Sequence, residues 1–375
     1  WLGLDGTLEV EDLKVPASEL MESIWAGRRH VRVGESGWIR LDDDLIEKLS
    51  ALSRLISRRG DELGVSKLQS LELLRLEEEG LNLKASVPWR MLADRIRRAS
   101  ETNIEVPTEL QETLRSYQKD GFCWLSRLAL WAPGACLADD MGLGKTIQAL
   151  SLLLQRRETG PALVVAPTSV GFNWMREAER FTPELRARMY RGSSRAELLK
   201  ELKAGDLLIT SYALAARDQE VLAEQSFATL ILDEAQAIKN PDTRRARAIH
   251  SLKAEFTVVL TGTPIENRIA DLWSIFAAAT PGLLGTREQF RKHFVLPPQR
   301  HPGSTRVTRE ALARSIRPFL LRRTKEEVAP ELPPRTSTVL HVSLSLAERK
   351  LYNEMRSAAV AGLRNQAAED NGEVR

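Results

Sequence analysis

The sequence predicts an α/β protein: a parallel sheet with helices on both faces and a helical protrusion, preceded by a smaller α+β module. Three observations predict it. From about Leu114 onward, short continuous apolar runs alternate with amphipathic helical segments, the pattern of strands buried on both faces. One of these runs opens into a glycine-rich loop that leads straight into an apolar helix. The first hundred residues instead show short alternating strands, a Gly34–Gly37 turn and helices with one apolar face. A chain of 375 residues has room for two or three domains.

Within the amino-terminal module, His30–Val33 and Trp38–Leu41 read as strands about the turn. Asp42, Asp43 and Asp44 precede a helix whose apolar face is Leu45, Leu49, Leu52 and Ile56. Three adjacent aspartates could hold a cation, but acidic residues at a helix start satisfy free N–H groups and the dipole, and capping is the favoured reading. Leu68, Leu71 and Leu74 mark another helical face, with Glu77–Glu79 in solvent beyond it. Met91–Ala99 is basic and amphipathic; a solvated helix face is favoured over a nucleic-acid contact. Ser100–Glu109, with Pro107, reads as a linker. The expected strands of the large sheet are Ala135–Ala138, Ala162–Ala166, Asp206–Thr210, Thr229–Leu232 and Thr257–Leu260, with helices at 145–157 and 171–181.

Composition narrows the function classes. Apolar residues make up 43% and charged residues 28%, which argues against a disordered chain. No apolar run approaches the roughly 18–20 residues of a membrane span, so no membrane partner is expected. Cys123 and Cys136 are too few for a disulfide framework or a cysteine zinc site, and a small buried side chain is the simpler role for each. A cytoplasmic location is expected, and a chain that starts at Trp1 without a leader reads as a fragment. The net charge of +3 hides an asymmetry: residues 1–110 carry 16 basic and 21 acidic side chains, whereas 287–335 carries 12 and 5.

The chemistry lies at the ends of the expected strands, where open parallel sheets bind their ligands. After the first comes Asp139-Asp140-Met141-Gly142-Leu143-Gly144-Lys145-Thr146. This is a phosphate-binding loop in which Asp139 stands where the general pattern has glycine. Gly142 and Gly144 let backbone N–H groups approach phosphate oxygens, and the helix from Lys145 adds its positive dipole end. Lys145 can reach the β- and γ-phosphates and the Thr146 hydroxyl can ligate Mg²⁺. Further on, a strand ends in Asp233-Glu234-Ala235-Gln236. Asp233 can hold the metal beside the loop, and Glu234 can orient and deprotonate an attacking water. Together the two motifs predict a Mg²⁺-dependent nucleoside triphosphatase. Other strand tips run into Pro167-Thr168-Ser169, Thr210-Ser211-Tyr212 and Thr261-Gly262-Thr263-Pro264. Hydroxyls and free N–H groups repeated along one sheet edge suit nucleic-acid phosphates.

Asp139–Gln148, Leu232–Asn240, Leu260–Arg268 and Pro318–Val328 together resemble the Swi/Snf-type ATPases of helicase superfamily two, and the Asp-Glu-Ala-Gln form resembles the bacterial branch. The likeness covers about 111–355; 1–108 resembles the helicase-associated region of bacterial relatives only loosely. The resemblance implies a RecA-like lobe at 109–335 with a helical insertion at about 281–335, and a connector at 336–375 leading to a second lobe that the sequence does not contain. It implies an ATPase stimulated by double-stranded DNA that translocates along the duplex. Arg115 and Gln118 match the adenine-side motif. Asp140, Met141, Gly142, Leu143, Gly144, Lys145 and Thr146 match the phosphate loop. Asp233 and Glu234 match the metal-binding and water-activating pair, and Gln236 the residue that couples nucleotide state to the second lobe. Thr261 and Thr263 match the motif linking hydrolysis to DNA; Pro167, Thr168, Thr210 and Tyr212 fall in segments lining the DNA track. Arg287, Arg291, Lys292, Arg314, Arg317, Arg322 and Arg323 are candidate phosphate contacts, Arg322 and Arg323 foremost. His293 and His301 lack partners at metal-ligand spacing. A protein partner through 1–108 is a further candidate.

Without a second lobe, feeble turnover is expected, because the arginine finger comes from that lobe in this family. A non-hydrolysing nucleotide- or DNA-binding regulatory module is the alternative from another class. A strand-separating or RNA-directed helicase is the alternative within the enzymes, since a phosphate track does not reveal its polymer.

Overall fold

In the computed structural model, the residues described are 2–3, 7–10, 13–33, 37–59, 62–66, 68, 70–78, 87–193, 195–262, 269–295, 304–328 and 343–370. The chain divides into two compact units, 1–329 and 330–375.

In the first unit, a seven-stranded sheet carries the site. Its strands are β1 (Gly134–Leu137), β2 (Ala162–Ala166), β3 (Arg186–Met189), β4 (Asp206–Ser211), β5 (Ser226–Leu232), β6 (Lys253–Leu260) and β7 (Leu320–Leu321), in the order β3-β4-β2-β5-β6-β1-β7. Every pairing is parallel. All the strand tips therefore open on one edge. β1 and β2 are buried along their whole length, and β5 is buried from Phe227 to Leu232, as strands covered on both faces require. The helices α1 (Ser116–Ala129), α2 (Lys145–Gln155) and α3 (Thr168–Phe181) flank the sheet.

The expected strands recur within a few residues of their anticipated ends, and α3 begins at Thr168 rather than 171. Two strands escape the sequence pattern. β3 reads Arg-Ala-Arg-Met, an edge strand with charge on alternate positions, and β7 is two residues long. β7 lies within the span of the expected helical insertion at about 281–335. Helices at Arg287–Phe290 and Ser304–Ile316 form there, but Phe290, Leu312 and Ile316 join the main core. The chain then returns to the sheet, with Phe319 buried and its ring 5.6 Å from that of Trp131.

The described residues of 2–101 build a second apolar core from a three-stranded antiparallel sheet, two hairpins and four helices. The hairpin pairs His30–Val33 with Gly37–Arg40. Asp42 caps the following helix by accepting from the Leu45 backbone N–H at 2.7 Å, which bears out the capping reading. Ile56 opens a strand instead of closing that helix, although it is buried with Leu49 and Leu52. The helical face expected from Leu68 starts at Ser70, and Glu77–Glu79 lie outside the described side chains. In Met91–Ala99, Ala93, Ile96 and Ala99 are buried, and Arg95 donates to the Leu130 carbonyl. Leu71 and Trp131 pack against both cores and join them.

The second unit holds a helix, Leu346–Asp370, started by a reciprocal Ser345–Glu348 capping box. No helix among the described residues is long and apolar enough to cross a membrane.

Candidate functional site

β1 runs into a loop in which Gly142 and Gly144 adopt φ of 87° and 73°. This left-handed backbone favours glycine and is what turns successive N–H groups inward. Leu143 is buried and anchors the loop, while Met141 is 69% exposed. The Lys145 ammonium donates to the carbonyl oxygens of Asp139 (2.7 Å) and Asp140 (3.3 Å). Burial lowers its pKa, against the pull of Glu234, Asp139, Asp233 and Asp140, so both sequence motifs converge on this lysine. Thr146 is half-buried in the first turn of α2.

Gln118 is buried in the first turn of α1. Its Oε1 accepts from the Arg115 backbone N–H (2.9 Å), and its Nε2 donates to the Leu143 carbonyl (3.3 Å). A Cβ on Gly144 would come within 2.4 Å of that Nε2. Gln118, expected on the adenine side, is thus in contact with the glycine loop, and Arg115 is exposed.

At the tip of β5, two strands from β1 in the sheet order, Asp233 is 7% exposed. Its Oδ2 accepts from the Trp174 indole N–H (2.8 Å) and its Oδ1 from the Glu234 N–H (2.9 Å). Burial raises its pKa; the Trp174 hydrogen bond opposes that shift, and neighbouring Glu234 adds to it. Glu234 has φ of 48° and ψ of 53°, left-handed for a residue with a side chain. Such strain costs of order 1–3 kcal/mol and clusters at functional sites. Here it accompanies a reach across to Gln236, whose Nε2 donates to Glu234 Oε2 (2.7 Å). The Thr261 hydroxyl, at the tip of β6 between β5 and β1, donates to Gln236 Oε1 (3.4 Å). Glu234, Gln236 and Thr261 form one chain across the strand tips. Among the described residues no group of three or more His, Cys, Asp or Glu could hold a metal unaided. A buried carboxylate at one strand tip and a hydroxyl-bearing helix start at another tip of the same edge fit Mg²⁺, which takes one or two protein ligands plus phosphate oxygens.

A family model for the SNF2-related domain matches residues 117–373. The chain belongs to the SNF2-related family. It is 36% identical over 367 residues to YwqA of Bacillus subtilis, whose name assigns it provisionally to the ATP-dependent helicases and translocases; the match covers 92% of this chain and 39% of YwqA. It is 35% identical to the Zorya protein ZorD of Escherichia coli O139:H28, over 80% of this chain and 30% of ZorD. The SWI2/SNF2 ATPase core of Sulfolobus solfataricus, solved in complex with double-stranded DNA, superposes with a TM-score of 0.55 at 38% identity, covering 62% of this chain and 49% of that one. The chain thus spans well under half the length of these curated relatives.

Against this SNF2-related frame, the expected DNA-track residues divide. Pro167 and Thr168 stand at the start of α3 on the tip edge, with Thr168 exposed. Thr210 and Tyr212 do not offer free hydroxyls. Thr210 is buried and donates to the Tyr190 carbonyl (3.4 Å), and Tyr212 is buried and donates to the Asp233 carbonyl (2.8 Å). The reason is that β4 turns directly into a helix at Tyr212, so its tip folds inward and Ser211 is spent as the N-cap. Thr261 is also buried, and Thr263 lies outside the described residues. Arg322 is exposed, as a phosphate contact requires. Arg323 is not: its guanidinium is engaged by Asp139, Gln148 and the Tyr117 carbonyl. Arg287 makes a bidentate pair with Asp242 at 2.6 and 2.8 Å. The side chains of Lys292, His293 and His301 lie outside the described set.

Sequence reasoning gave no role to Trp174 or Gln148. A signal existed for the first, since a buried tryptophan N–H needs an acceptor and Asp233 provides one.

Proposed function

We propose that this chain is the ATP-binding part of a motor that couples Mg-ATP hydrolysis to movement along double-stranded DNA, with a second RecA-like lobe completing the site. The observation that carries the reading is the sheet order, in which the glycine loop with Lys145 and the Asp233–Glu234 pair stand at strand tips on one edge with a single strand between, and Gln118 touches that loop. Lys145 and the loop N–H groups hold the phosphates, and Gln118 meets the base. Asp233 and Thr146 would hold Mg²⁺, which supplies charge neutralisation at the β- and γ-phosphates. Glu234 accepts a proton from the attacking water, and the Gln236 hydrogen bond keeps its carboxylate turned toward the strand tips. Gln236 and Thr261 carry the state of Glu234 along the tip edge, where Pro167, Thr168 and Arg322 are candidates for backbone contact.

Duplex DNA as the track is supported by the Sulfolobus solfataricus core, solved with double-stranded DNA. Residues 1–108 act as an accessory domain and offer a surface for a protein partner; 109–335 forms the lobe and 336–375 the connector. A cytoplasmic location accords with DNA as the track.

Displacement assays on the full-length protein test this reading. Displacement of a third strand from a triplex without separation of a duplex is expected. Efficient separation of duplex strands would replace translocation with unwinding, and stimulation by RNA alone would remove DNA as the track.

A further inference from the structure

Asp139 stands where phosphate-binding loops have glycine, and it is fully buried. A buried carboxylate must be paired, and its partner comes from 184 residues away. Arg323 Nε donates to Asp139 Oδ1 (3.0 Å), Nη2 to Oδ2 (2.5 Å), and the Arg323 backbone N–H to Oδ1 (3.1 Å). The same guanidinium donates to the Tyr117 carbonyl and to Gln148 Oε1 (2.9 Å), and lies over the Tyr117 ring at 5.4 Å from its centroid. One side chain therefore touches the loop, the helix that follows it and the residue beside Gln118.

The backbone repeats the connection. Ala138 N–H donates to the Leu321 carbonyl (2.7 Å), Asp140 N–H to the Arg323 carbonyl (3.0 Å), and Lys325 N–H to Asp140 Oδ2 (3.2 Å). α1 is shaped to admit the pair. A Cβ on Gly121 would lie 1.9 Å from Gln148 Oε1 and 2.8 Å from Arg323 Nη2, so glycine is kept inside a helix where it is otherwise unfavourable. The segment Leu320–Val328 is thus strapped to the first half of the loop, and the second compact unit begins immediately beyond it, at Pro330.

We propose that Arg323 is a positioning residue for the phosphate-binding loop, and that Leu320–Val328 couples nucleotide occupancy of that loop to the chain leaving the first unit. This rests on the nucleotide reading above. The route is separate from the Glu234–Gln236–Thr261 chain, because it grips the loop from the β7 side. A planar fork holding both carboxylate oxygens fixes the angle of Asp139, which a lysine cannot do.

The test is amide hydrogen exchange and nucleotide affinity, measured on this chain with a non-hydrolysable ATP analogue and Mg²⁺. In the wild type, nucleotide should slow exchange at Asp140, Arg323 and Lys325. Arg323→Lys and Asp139→Asn should each weaken nucleotide binding about tenfold or more, within the usual range of coupling factors, and abolish the response at 320–328. Thermal melting monitors the fold. Should a variant lose cooperative melting, the wild-type exchange response alone decides. Binding by the wild type with no response at 320–328, or folded variants with wild-type affinity, would overturn the proposal. Absence of binding by the wild type would bring down the nucleotide reading and the proposal with it.

Discussion

Trp174 shows how much a single side chain sets the chemistry of its neighbour. Its indole N–H is fully buried and donates to Asp233, whose carboxyl is pushed above the ordinary range by burial. Protonated Asp233 cannot ligate a metal, so Mg²⁺-dependent nucleotide binding should fall on acidification at a pH above the ordinary aspartate value of about 3.9. Trp174→Phe keeps the ring and removes the donor. A hydrogen bond to a charged group is worth roughly 1.5–3 kcal/mol, so the acid limb should move up by about one to two pH units. Titrating Mg²⁺-nucleotide affinity in both proteins between about pH 5 and pH 8 checks this; coincident curves would remove the indole from the account. The same raised pKa fixes a sign for stability. This group favours the nucleotide-free fold only when protonated, so its contribution is lost as pH rises through the raised value.

At the scale of elements, two glycines separate close packing from local propensity. Gly134 opens β1, and a Cβ there would lie 2.1 Å from the Ala279 carbonyl oxygen and 2.3 Å from that of Thr257. Both atoms are backbone and cannot swing aside. Gly134→Ala should destabilise the chain by roughly 1–3 kcal/mol, as overpacking does. Gly171 lies inside α3, where a Cβ would meet Met189 Cε at 3.4 Å and Ile209 Cγ2 at 3.9 Å. Gly171→Ala should be neutral or stabilise by about 0.5–1 kcal/mol. Denaturant melts of the two variants check the pair; equal effects would refute the packing argument. These elements also show what the sequence could and could not reveal. β1, β2 and β5 are legible because they are buried on both faces, and the loop after β1 because its chemistry demands Gly142, Gly144 and Lys145. β3 and β7 are edge strands whose pairing depends on distant residues. Arg323 reads as a surface cation for the same reason: only the fold brings Asp139 to it. Tyr212 reads as a tip residue, and nothing in its neighbourhood announces that Asp233 would claim its hydroxyl.

At the scale of the molecule, the site is built from one side. Lys145 feels the charges of Asp233 and Glu234, Gln118 braces the loop, and the Gln236–Thr261 chain leads along the tip edge. In the proposed reading these groups bind nucleotide and prepare water, and the negative charge that develops on the transferred phosphoryl group calls for a cation beyond Lys145. In related phosphoryl transfer an added arginine contributes roughly 10³–10⁵ in rate. In the proposed reading the second lobe supplies that arginine; this chain corresponds to 39% of YwqA. This chain should therefore bind ATP yet hydrolyse it slowly, with little response to DNA. A chain extended through the second lobe should turn over at least about a thousandfold faster when duplex DNA is present. Glu234→Gln in the extended chain supplies the control, because it should keep nucleotide affinity and lose hydrolysis by roughly 10²–10⁴. Steady-state phosphate release from the three proteins, with and without duplex, gives the comparison. Equal and robust rates with and without the second lobe would mean that this half already holds a complete catalytic set, and an extended chain without hydrolysis would turn the reading to a binding module.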